Sequence, residues 1–156
     1  MAVASKADFN FVNWRRVLSL VLAFWLSSSL LLDFVIMPSL FAAGMMSQPD
    51  FATAGYGIFW IFNRLELLCA AVVLTGILVQ QQSEKTPVSI TLAGILFAIA
   101  LICTYFLSPQ MSSLGLNLNL FAPAHVPSGM NQLHVGYWLL ESCKLLTGVW
   151  LLKREF

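Results

Sequence analysis

The chain has 156 residues, of which 59% are hydrophobic and 10% charged, with a net charge of +1. A soluble domain carries about 25% charged residues, so the composition excludes an ordinary water-soluble fold and points to an integral membrane protein. A net charge this small, with no basic tract, also argues against nucleic acid as a partner.

Lys6, Arg15 and Arg16 precede the first apolar run, at 17–37. About 20 mostly apolar residues are needed to cross the hydrocarbon core. The basic start and the small residues of "LFAAG" imitate a signal peptide, but the run is too long and carries Asp33. It reads as a retained first span ending at Pro38. The second span, 51–79, is long enough to tilt or to begin above the surface. The polar turn "QQQSEKTPVS" leads to a third span at 89–107, ending before Pro109, and a fourth lies at 131–152. The expected fold is all-α: a four-transmembrane-helix antiparallel bundle, one integral membrane domain over 1–156.

Orientation follows from the basic residues. Lys6, Arg15 and Arg16 lie before span one, Lys85 between spans two and three, and Lys153 and Arg154 after span four. The other two loops, 38–50 and 108–130, contain no Lys or Arg. The positive-inside rule then places both termini in the cytoplasm. Trp14, Trp138 and Trp150 stand where interfacial or bundle-lining aromatics belong. Spans one and three share an echo, each reaching a proline ("MPSLFA", "SPQMSS") and then a loop with methionines. It suggests two helical hairpins related by a rough two-fold axis.

The spans also hold groups that lipid does not tolerate: Asp33, Arg64, Glu66, Glu141 and Lys144, with His134 as a sixth. Each charge at the bilayer centre costs roughly 2.5–3.5 kcal/mol, so most need partners. Counted at 1.5 Å per residue, Arg64 and Glu141 fall near one level, roughly 20 and 15 Å below the outer ends of their helices. Glu66 and Lys144 are slightly deeper. Asp33 and His134 share a shallower level. His134, Tyr137, Glu141, Lys144 and Gly148 recur at helical spacing and form one stripe. Asn63 and Glu66 share a face of span two, whereas Arg64 points about 200° away. The expected site is a buried polar seam of Asp33, Asn63, Arg64, Glu66, His134, Tyr137, Glu141 and Lys144. In it Glu141 holds Arg64, Lys144 takes Glu66, and Asp33 neighbours His134. Such a seam either fixes helix register or forms a pocket or proton path.

Other chemistry is thinly represented. Cys69, Cys103 and Cys143 lie in apolar runs without CxxC spacing and read as small buried hydrophobes. Met45, Met46, Met111, Met130, His125 and His134 have the ligand types that suit Cu(I), but no MxxM or HxxxM spacing. No nucleophile–base set, phosphate loop or zinc-protease motif is present, so no enzyme activity is expected. No metal or cofactor is expected either. A haem or chlorophyll at His134 would usually want a second placed histidine, and His125 lies in a loop.

Two stretches resemble a known family. "LLDFVIMPSLFAAGMM" is similar to the end of the first helix in the transmembrane protein 205-like family, whose bacterial members are a domain of unknown function. "YFLSPQMSSL" with "NQLHVGYWLLESCKLLTGVWLL" resembles its third-helix end and its entry to the last helix. Pro38, Leu40, Phe41, Pro109 and His134 match, over residues 17–152. The Arg that often follows the third-helix proline is replaced by "SSLGL", and the Glu141–Lys144 pair looks peculiar to a subgroup. The loop-to-helix wording around "AAGMMSQPDFATAGYG" looks most like versions from oxygenic photosynthetic bacteria. The resemblance implies a four-helix membrane protein. The drug resistance and secretion linked to eukaryotic relatives do not transfer.

Together these features give one leading expectation: a non-enzymatic accessory or assembly subunit of a larger membrane complex, photosynthetic or respiratory, in a bacterial plasma or thylakoid membrane. Small-residue faces ("AGYG", "LAG", "LTG") would allow close approach to a membrane-protein partner or a second copy. The alternative is a small transporter or ligand-binding membrane protein that uses the seam between spans two and four.

Overall fold

The computed structural model describes residues 6–45, 48, 50–80, 87–113 and 128–155, and they are helical throughout apart from short turns. Met46, Lys85 and His125 lie outside the described residues. Helix α1 spans Lys6–Leu30 and continues through a π-helical turn, Leu31–Ile36, into a last stretch, Met37–Ala42. Gly44 follows with φ 70°, a left-handed conformation that glycine adopts freely and that stops the helix. Helix α2 spans Phe51–Gln80 and α3 Pro87–Ile102, which passes through a second π turn, Cys103–Leu107, before more helix at 108–113. Helix α4 spans Ser128–Glu155.

Three of these helices are long and apolar enough to cross a membrane: Trp14–Leu40, Thr53–Gln80 and Pro87–Ser113. Helix α4 has the length, 28 residues or about 42 Å. It is less apolar because it carries the charged half of the seam. No strand occurs among the described residues.

The two prolines do not end their helices as the sequence pattern predicts. A proline inside a helix lacks an N–H and clashes with the carbonyl four residues back. Both clashes are accommodated by a widened turn. The Met37 N–H reaches back five residues to Leu32 O, and the Ser108 N–H five residues to Cys103 O. Wide turns of this kind recur at functional sites. The echo between spans one and three thus extends to backbone geometry, with a π turn before Pro38 and another before Pro109.

The helices pack as a square. Helix α1 contacts α2 and α4, and α3 contacts α2 and α4. Neither diagonal pair makes backbone-level contact among the described residues. In the half that holds the start of α1 and the end of α4, the interior is mainly apolar: Leu22, Trp25, Leu26, Val73, Ile77, Leu92, Leu96 and Leu151 form the main cluster, with Gln80 and Ser89 as buried polar residues at its end. Two glycines bring helices close there. A Cβ at Gly76 would overlap the Leu18 side chain, and one at Gly148 would come within 2.5 Å of Leu26. Leu18 and Leu26 therefore sit as knobs on glycine-sized hollows. By contrast, a Cβ at Gly55, Gly57 or Gly94 would meet nothing within 4 Å, so the "AGYG" and "LAG" faces are unused within the described residues. At the rim, Arg15 donates to the Glu155 carbonyl, which ties the first helix to the last.

Candidate functional site

The interior of the other half is polar. It begins at Glu66, one turn beyond the apolar cluster on α2. The spacing of 3 and 4 along Leu18, Leu22, Trp25 and Ser29 puts one stripe of α1 inside, and it ends in groups that can donate. Trp25 Nε1 donates to Glu66 Oε1 at 2.9 Å and Ser29 Oγ at 2.7 Å. The Lys144 ammonium donates to the same oxygen. Trp25, Ser29, Glu66 and Lys144 are all at most 3% exposed. Lys144 comes from the diagonally opposite helix, so this ion pair bridges α2 and α4 where their backbones do not touch. Charge-assisted bonds from several donors suit a buried carboxylate, because an uncompensated one is costly there.

Glu141, one turn along α4, places Oε2 2.6 Å from the same ammonium. Its Oε1 has no hydrogen-bond partner among the described residues. Further along, Tyr137 donates its hydroxyl to Asp33 Oδ1 at 2.9 Å. Asp33 lies within the first π turn and is 2% exposed, and its Oδ2 has no partner among the described residues. Asn63 donates to Ser108 Oγ, and its backbone carbonyl accepts from Thr104 Oγ at 3.3 Å. Three sets of polar contacts thus occupy this interior: Lys144 with Glu66 and Glu141, Tyr137 with Asp33, and Asn63 with Ser108 and Thr104 at the second π turn.

Beyond Asp33 the bundle opens into a cavity of about 350 Å³. It lies between the two proline-bearing helix ends. Asp33, Met37, Pro38, Phe59, Ser108, Met111, Ser112, His134, Tyr137 and Trp138 line it. Phe59 meets the Tyr137 ring edge-on at 6.1 Å, and Phe34 meets Trp138 at 5.2 Å. Such edge-to-face pairs hold aromatic walls at fixed angles.

Six of the eight expected seam residues are buried together, and the pairing of Lys144 with Glu66 stands; His134 is exposed and reaches only the cavity lining. Arg64 does not join them. It is exposed on the outside of α2, its guanidinium 3.4 Å from the centre of the Trp60 ring. The expected Arg64–Glu141 pair is therefore absent, and Glu141 faces Lys144 on its own helix instead. The reason is helical phase: Arg64 and Glu66 lie about 200° apart, and the long stem follows the outer face to an aromatic ring rather than crossing the helix. Asp33 and His134 do line one cavity, but the hydrogen bond of Asp33 goes to Tyr137. Cys69 and Cys103 are buried, whereas Cys143 is exposed on α4, contrary to its reading as a buried hydrophobe; all three are free thiols. Of the methionines and histidines considered for Cu(I), Met111 and His134 reach the cavity. No group of three or more His, Cys, Asp or Glu is arranged for a metal among the described residues.

Trp25, Ser29, Thr104 and Ser108 are seam members that composition hides, since one indole or hydroxyl barely alters an apolar run. The detectable signal was the phase of Trp25 and Ser29 with Leu18 and Leu22.

A family model described as a domain of unknown function, DUF4149, matches residues 20–117. That region takes in the first three helices with Asp33, Asn63, Glu66 and Ser108. It stops before α4, which supplies Tyr137, Glu141 and Lys144. No curated protein and no solved structure matches the chain.

Proposed function

The chain belongs to the DUF4149 family, a domain of unknown function, and from the seam itself we propose a small multi-pass membrane protein that binds a ligand within its bundle. One observation carries this reading. A cavity of about 350 Å³ ends on a buried carboxylate whose second oxygen is unpartnered among the described residues. A ligand pocket is typically a concave, mostly apolar space with a few convergent polar groups. A seam needed only for helix register would have no use for that space.

In this reading all four helices span the bilayer, α4 included, because its charges face Glu66 inside the bundle. Both termini are cytoplasmic and the cavity lies toward the outer leaflet. Labelling of single cysteines placed at positions 2 and 156 tests the orientation; modification from outside intact cells contradicts it. The kinship to transmembrane protein 205-like proteins, and an origin in oxygenic photosynthetic bacteria, are part of the same proposal.

Ligand binding is tested by filling the cavity. Ser112 lines it, so Ser112→Phe should occlude it. Small cationic, neutral and anionic aromatic amphiphiles are screened for thermal stabilisation of the protein in nanodiscs. At least one should stabilise the wild type and lose its effect in Ser112→Phe. Equal behaviour of both proteins across the panel removes the reading.

The second reading, an accessory or assembly subunit, is favoured by Arg64. An arginine keeps its charge, and this one lies on the outward face of α2 with only Trp60 against it among the described contacts. A membrane partner carrying an acid at that level would satisfy it. Mild-detergent purification followed by mass spectrometry tests this: a stoichiometric partner lost in Arg64→Leu supports it, and a chain that purifies alone opposes it.

A further inference from the structure

Resting on the ligand-binding reading, we infer that the cavity takes a lipophilic organic monocation, an amine or quaternary ammonium group carried on an apolar body. Four observations converge on that class. First, Asp33 is 2% exposed and lines the cavity, and its Oδ2 accepts no hydrogen bond among the described residues. A neutral apolar guest would leave that oxygen unpaired, and an unsatisfied buried acceptor is costly.

Second, the electrostatics are one-sided. Among the described residues, Asp33, Glu66 and Glu141 give three carboxylates, against the Lys144 ammonium and the His134 imidazole on the cavity wall. Lys144 is already engaged by Glu66 and Glu141, and the Tyr137 hydroxyl donates to Asp33 Oδ1. An anionic guest is repelled, and a cation offsets the excess.

Third, the walls suit a soft cation. Phe59, Tyr137 and Trp138 present aromatic rings, and Met37 and Met111 present thioethers. Aromatic faces attract cations, and aromatic cages are a recurrent answer to quaternary ammonium groups. Thioethers fill the irregular space around an apolar body. Fourth, the same walls disfavour a hard metal ion, which needs about six oxygen ligands. Among the described residues, the side-chain oxygens along the cavity come from Asp33, Ser108, Ser112 and Tyr137, and Asp33 supplies the one carboxylate there.

The test uses a matched pair of probes. Benzyltrimethylammonium and neopentylbenzene have nearly the same shape, and a quaternary carbon replaces the charged nitrogen in the second. Radiolabelled benzyltrimethylammonium is equilibrated with the full chain in phosphatidylcholine nanodiscs, referenced to empty nanodiscs. The expected result is saturable binding that neopentylbenzene does not displace. Asp33→Asn should weaken binding by about tenfold or more, and Phe59→Leu, which keeps apolar bulk without a ring, by several-fold. The displacement arm uses only the wild type and so stands even if a variant fails to fold. Displacement by neopentylbenzene at comparable concentration, or unchanged affinity in folded Asp33→Asn, overturns the inference and leaves the cavity as a site for neutral guests. Absence of saturable binding to the wild type also overturns it, and the Ser112→Phe screen then decides separately whether the cavity binds anything.

Discussion

The two halves of the bundle fill their interiors differently. In the half that holds the start of α1 and the end of α4, leucine knobs sit on Gly76 and Gly148 within a mainly apolar cluster. In the opposite half, wide π turns precede Pro38 and Pro109, carboxylates replace leucines, and a cavity of about 350 Å³ remains. The contrast teaches where stability and binding reside. Lipid gives helices no hydrophobic reason to associate, so close packing has to hold them. The glycine contacts supply it at one end. At the other end packing is relaxed, and the Lys144–Glu66 ion pair spans the diagonal in its place.

That comparison breaks most visibly at Lys144. Lys144→Met leaves Glu66 and Glu141 buried without their shared cation, and should cost about 3–5 kcal/mol in detergent unfolding. Adding Glu66→Gln should recover part of the loss, because the stranded charge goes with it. Gly76→Val tests the packed half: overpacking against fully buried Leu18 should cost about 1–3 kcal/mol in the same assay. Gly55→Ala, with open space around it, should be neutral or slightly stabilising. Tyr137→Phe removes one bond in the relaxed half and should cost about 0.6 kcal/mol, the average for a polar contact in a membrane bundle, and no more than about 1.7 kcal/mol. Arg64 has a similarly small effect. Arg64→Leu should shift stability within about 0.5 kcal/mol, and its cycle with Glu141→Gln should close to within about 0.3–0.5 kcal/mol, since the two do not touch.

The helices and the α4 stripe were legible because lipid imposes hard limits on length and polarity, and Tyr137, Glu141 and Lys144 could only face inward together. The Glu66–Lys144 pair was legible from level and phase in agreement. Arg64 was misplaced because level was allowed to outweigh phase: every residue of a helical turn shares a depth, and only the angle decides what it meets. The prolines misled for a local reason. The rule that proline breaks a helix holds for an ordinary turn, and a five-residue hydrogen bond relieves it without any signature in composition. The cavity was not legible at all, since an empty volume is set by how four helices splay and not by any one stretch.

The central claim is that Asp33 serves binding while Lys144 and Glu66 serve stability. The most direct measurement is the unfolding of Asp33→Leu/Tyr137→Phe in detergent, paired with benzyltrimethylammonium binding in nanodiscs. Both ends of one buried polar contact are replaced by apolar groups, beside a cavity with room for the larger side chain. Such paired replacements are often neutral or stabilising. The melting temperature should equal or exceed that of the wild type, with binding abolished. A drop as large as that of Lys144→Met, or retained binding, would contradict it.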